Sequence, residues 1–117
     1  MRAIGVVLAG VVLVAGSAVA HHAIEEQFDS THPVLLEGVV TKVAWVNPHM
    51  RLFVDVKDRA GTVTNWEVDM GSPTIQILRG WKIDTVRPGD SVSIKASPAR
   101  DGSKVSYAEK VKVSVKR

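Results

Sequence analysis

Apolar and polar side chains alternate through most of residues 34–115, and a chain patterned with a period of two folds as sheet rather than helix. Met50, Leu52, Val54 and Val56 alternate with Arg51, Phe53, Asp55 and Lys57, which predicts a strand buried on one face. Trp66, Val68 and Met70 alternate in the same way with Asn65, Glu67 and Asp69. Val92, Ile94 and Ala96 alternate with Ser91, Ser93 and Lys95, and Val111, Val113 and Val115 with Lys110, Lys112 and Lys116. The runs are closed by turn sequences: Asn47-Pro48, Asp58-Arg59-Ala60-Gly61, Arg87-Pro88-Gly89-Asp90 and Asp101-Gly102.

The segment from Val34 to Val46 differs, because both parities are apolar. Leu35, Val39, Val43 and Trp45 lie on one and Val34, Leu36, Val40 and Ala44 on the other, with Gly38 between them. A long strand with an internal glycine is expected to bend or bulge there and so serve both sides of a small barrel. One helix is expected after the third strand. Ser72 is a good N-cap, Pro73 suits the first helical position, Arg79 complements the C-terminal dipole and Gly80 fits C′. Ile75 and Leu78, with Ile77 beside them, are expected to dock this short helix on the barrel, and Trp81 to seal the junction. The order β-β-β-α-β-β predicts an all-β, five-stranded OB-like barrel with one short helix between strands three and four. An open sandwich fragment is the alternative, and it leaves edges that closure removes.

Residues 1–20 stand outside this pattern. Arg2 precedes the apolar run Ala3–Ala15, Gly16-Ser17 breaks it, and Ala18-Val19-Ala20 has the small–x–small form of a cleavage site, which together read as a signal peptide. The run is short for a membrane span of about 20 residues. Residues 21–33 read as an N-terminal arm that Phe28 pins to the barrel, and residues 34–117 as the barrel domain. The expected location is periplasmic or secreted, with no membrane span after cleavage. The chain has no cysteine, which excludes disulfides and lipid attachment at a thiol. Its net charge of +3 comes from interspersed acids and bases, so no nucleic-acid footprint is expected.

No phosphate-binding glycine loop, cysteine nucleophile or serine elbow is present. Glu67 and Asp69 share a parity, and the expectation is a solvated outer face rather than an acid/base pair. The histidines are more informative. His21, His22, His32 and His49 all lie near the start of the processed chain. Cleavage after Ala20 makes His21 the first residue, so an α-amino group and two imidazoles stand together, and His49 on the first turn supplies a third. A nitrogen-rich set of His21, His22 and His49 suits Cu(II), with Zn(II) or Ni(II) as the weaker candidates. Met50 and Met70 have core parity. Trp45, Phe53, Trp66 and Trp81 are the aromatics available for stacking; Phe53 has outward parity, and Phe53 with Trp81 is the candidate partner-binding pair.

Several of these stretches occur together in one known group. The chain resembles a family of small exported bacterial proteins catalogued as a domain of unknown function. The resemblance rests on His21-His22, Phe28-Asp29, Trp45-Val46-Asn47-Pro48-His49, Met70-Gly71-Ser72-Pro73, Arg79-Gly80-Trp81 and Pro88-Gly89-Asp90. It implies export and supports the barrel; it implies no activity. Ile24 departs from it, standing where such sequences often have an aromatic. The expected function is a non-catalytic binding protein of the cell envelope that takes a metal at His21, His22 and His49. The alternatives are a protein- or glycan-binding module that uses Phe53 and Trp81, and a copper-dependent redox enzyme.

Overall fold

The computed structural model describes residues 22–115; residues 1–20, where a signal peptide is expected, His21, Lys116 and Arg117 lie outside the described residues. The strands are β1 (Val34–Ala44), β2 (Arg51–Lys57), β3 (Val63–Asp69), β4 (Ser91–Pro98) and β5 (Val105–Ser114). Helical residues 22–27 form α1, and Pro73–Leu78 form α2 between β3 and β4. The sheet closes on itself in the order β1-β2-β3-β5-β4. Every neighbouring pair is antiparallel except β3 with β5, which is parallel. This is the expected OB-like barrel.

Like every strand of the closed barrel, β1 pairs along both edges, but it does so mostly with different halves of its length. Val34–Val39 run against β4, and Gly38–Ala44 against β2. The two ladders overlap at Gly38, opposite both Val56 and Val92, and at Val39, opposite both Asp55 and Ser91. A Cβ on Gly38 would collide with the backbone carbonyl of Asp55. The ladder then skips between Val40 and Lys42, and the side chain of Thr41 in the skip donates to the Phe53 carbonyl at 3.2 Å. Strand β1 ends at Ala44, two residues sooner than expected, and a cis Asn47–Pro48 bond lies in the turn that follows.

The inward residues expected from parity form the core. Val40, Leu52, Val54, Val68, Ile94 and Ala96 are fully buried, as are Met50 and Val86, while Leu36, Met70 and Val92 complete the cluster. Trp45, Trp66 and Trp81 are partly buried against it. At the far end of the pattern Val115 lies beyond β5 and is exposed. The turn at Arg87–Asp90 closes through Asp90 N–H to the Arg87 carbonyl at 3.0 Å, with Gly89 at φ 95°.

Two helical expectations are corrected. The caps of α2 are as expected: Ser72 Oγ accepts from Ile75 N–H at 3.2 Å, and Gly80 takes φ 93°. Its orientation is reversed, however. Ile75, Ile77 and Leu78 face solvent, and Gln76 is the buried residue. Gln76 wins because its amide reaches the Met70 carbonyl at 2.6 Å, which satisfies a strand-end acceptor that an aliphatic side chain would leave unpaired. The second correction is α1, since the one helix expected was that after the third strand. Helix α1 ends where Phe28 bridges to Ala99 and packs its ring 5.7 Å from that of Tyr107. Phe28 is buried, so the arm is pinned as expected.

Candidate functional site

The arm, the β1–β2 turn and the outer face of β2–β3 meet at a cleft of about 210 Å³. Its lining is Gln27, Phe28, Pro48, His49, Arg51, Glu67, Asp69 and Val105. The β2–β3 register explains this grouping, because it sets Arg51 opposite Asp69 and Phe53 opposite Glu67. His49 Nδ1 stands 2.7 Å from Asp69 Oδ2, and Asp69 Oδ1 accepts the Gly71 amide at 2.8 Å. Both carboxylate oxygens are thus engaged and the imidazole is fixed in orientation. With Nδ1–H donating to Asp69, Nε2 is the nitrogen left for a ligand. Beside it Arg51 Nη1 pairs with Glu67 Oε1 at 3.2 Å. Tyr107 stands behind the carboxylate; its phenol is pushed above its ordinary pKa by burial and then by the charge of Asp69, so it stays neutral.

The other histidines are dispersed. His22 Nε2 lies 3.0 Å from Glu26 Oε1 one turn along α1, both exposed. His22 and Gln27 are separated by about 7.5 Å of helical rise, so the end of the arm that lines the cleft is Gln27–Phe28, not His22. His21 lies outside the described residues. His32 Nδ1 lies 2.9 Å from Asp29 Oδ2 in an exposed turn. Among the described residues no group of three His, Cys, Asp or Glu side chains comes together to hold a metal.

Hydrogen bonds from the Thr31 side chain, then from His32 and from the Thr31 amide, hold the Asp29 carboxyl down to about 2. A carboxyl more acidic in the folded chain than in the unfolded one favours the folded turn above the unfolded pKa. That contribution is lost as pH falls from about 4 toward 2. Titration of the Asp29 carboxyl by NMR is expected to show the low midpoint, and Thr31→Val to move it upward.

The two aromatic candidates do not share a surface. Phe53 is half-buried on β2 with the Lys42 ammonium 5.3 Å from its ring centre. Trp81 borders a different cleft, with Gln76, Arg79 and Lys110 among its neighbours. Sequence reasoning missed Arg51, Glu67 and Asp69 as companions of His49. The signal for them is the hairpin register. A loop of residues 58–61 sets Lys57 opposite Thr62, but Thr62 is itself held by Asp58, whose amide donates to its carbonyl and whose carboxylate takes its amide, both at 2.9 Å. That places Lys57 opposite Val63 and brings Arg51 level with Asp69.

A family model described as a family of unknown function, DUF6152, matches residues 8–108. The chain belongs to this family. The match takes in α1, the cleft and the barrel as far as Ala108. No curated protein matches the chain. Among solved structures it is similar to two crystal forms of Rim1, the mitochondrial single-stranded DNA binding protein of S. cerevisiae. Each aligns at 14% identity with a TM-score of 0.53 over 70% of this chain, covering 92% and 91% of the yeast chain. At that identity the likeness is one of fold.

Proposed function

We propose that this member of the family is an exported, non-catalytic binding protein of the cell envelope that takes its ligand at the His49 cleft. The observation that carries the reading is the His49–Asp69–Gly71 chain of hydrogen bonds, which fixes one imidazole and directs its chemistry to Nε2. Metal-binding histidines are held in this way by a carboxylate on the far ring nitrogen. The ligand we assign is a transition metal ion, Cu(II) ahead of Zn(II), with His21 and His22 as the further donors once the leader is removed after Ala20. The described residues supply only one imidazole to the cleft, so the amino-terminal donors must reach it by a rearrangement of α1.

Single-stranded nucleic acid, the ligand in the yeast protein's name, fits less well. An OB barrel binds a nucleic-acid strand on its β2–β3 face, and here the three acids of that face, Asp55, Glu67 and Asp69, outnumber its two bases, Arg51 and Lys57. The test is a Cu(II) titration of processed protein beside His49→Ala and beside a form with one extra N-terminal alanine. Each change is expected to weaken binding about 10- to 100-fold. Equal, weak affinity in all three overturns the metal assignment.

A further inference from the structure

Helix α2 and the turn after it present aliphatic side chains to solvent on a rigid frame. Gln76 is locked inward: its Nε2 donates to Met70 and its backbone carbonyl accepts Trp81 N–H at 2.9 Å. Leu78 is left 77% exposed and Ile77 60% exposed. Ile83, 76% exposed, lies in a turn closed by Thr85 N–H to the Lys82 carbonyl at 3.1 Å and by Lys82 N–H to Thr85 Oγ1 at 2.8 Å. Val86, fully buried, anchors that turn to the core. These side chains are held apart from the core by bonds on both sides, so the patch cannot collapse inward. Exposed aliphatics clustered within a few residues mark an interaction surface rather than ordinary scatter.

The polar residues around the patch select its partner. Arg79 and Lys82 are exposed within the stretch, and its carboxylate, Asp84, lies 3.6 Å from Arg87 Nη2. Trp81, which lies between Leu78 and Ile83 in the sequence, is half-buried against the core. Aliphatic tips, a cationic collar and a tryptophan at the boundary match the layering of a lipid interface. We propose that α2 and the 82–85 turn form a membrane-docking edge, with Ile77, Leu78 and Ile83 entering the acyl boundary of an anionic lipid surface and Arg79 and Lys82 meeting its phosphates. This surface is separate from the His49 cleft, and its failure would leave that site untouched.

The experiment is flotation of the protein, in the form its producing cells process, with phosphatidylglycerol–phosphatidylcholine vesicles and with phosphatidylcholine vesicles alone. Binding is expected to the anionic vesicles only, and to fall at least about ten-fold in Leu78→Asp/Ile83→Asp and in Arg79→Glu/Lys82→Glu. Thermal melts check that both variants remain folded, as exposed positions permit. Absence of wild-type flotation, equal flotation of wild type and variants, or sedimentation showing that the face instead pairs two chains would each overturn the proposal.

Discussion

Gly38→Ala is expected to leave the chain without a cooperative unfolding transition at room temperature. The new Cβ would occupy the space of the Asp55 carbonyl oxygen, a backbone atom of the paired strand, and would press on a Val54 methyl group as well. No rotamer relieves a clash between Cβ and backbone, so β1 and β2 must separate where β1 also binds β4. Overpacking of a core costs roughly 1–3 kcal/mol when side chains give way. Here a ladder gives way instead, and a loss above about 4 kcal/mol is expected, against a total of roughly 5–15 kcal/mol for an ordinary domain and less for a small one. Urea denaturation followed by far-UV circular dichroism measures it. A Gly38→Ala protein with the wild-type midpoint would mean that β1 and β2 do not approach this closely at residue 38.

Ile94→Ala and Leu78→Ala are expected to behave as opposites. Ile94 is fully buried in the barrel, and truncation there removes its packing and leaves a cavity, at a cost of about 2–5 kcal/mol. Leu78 is among the most exposed apolar residues described, and its truncation is expected to change stability by no more than about 0.5 kcal/mol. Midpoints of urea unfolding at constant slope give both values. If Leu78→Ala proved as costly as Ile94→Ala, α2 would dock through its aliphatic face and the surface we assign to lipid would not exist.

That pair of residues also marks the limit of what was legible in the sequence. Period-two alternation identified the inward residues of β2, β3 and β4 because each side chain on a strand has only two directions available. Gly38 was recognisable as a special position because a glycine inside a β-branched run has no packing reason to be there. The α2 caps were equally local. Its orientation was not, since the spacing of Ile75 and Leu78 says that they share a face and is silent on where that face points. A backbone group outside the helix decided it, the carbonyl of Met70 at the end of β3, which the side-chain amide of Gln76 satisfies.

The candidate site was half legible for the same reason. His49 stood out because it follows Asn47-Pro48 on a turn. Asp69 lies on the next hairpin arm, and the two meet only through a register that depends on Thr62 in the loop. In the arm, Ala23-Ile24-Glu25-Glu26-Gln27 contains good helix formers, and His22 with Glu26 has the spacing of an i,i+4 pair. A stretch that short is helical only with support, and that support comes from Phe28 and from Arg100, whose side chain donates to the Glu25 carbonyl at 3.0 Å.

The parallel pairing of β3 with β5 runs only from Glu67 to Asp69 against Val105 to Tyr107, whereas β4 and β5 remain paired from Ser91 to Pro98. Breathing of the barrel will therefore start at this short seam, and amide protons there will exchange with deuterium before those of the long ladders. Glu67 and Asp69, two walls of the cleft, sit on it. Whatever occupies the cleft will act as a bolt across the joint, and slowed exchange at these amides offers a way to detect an occupant before its chemistry is known.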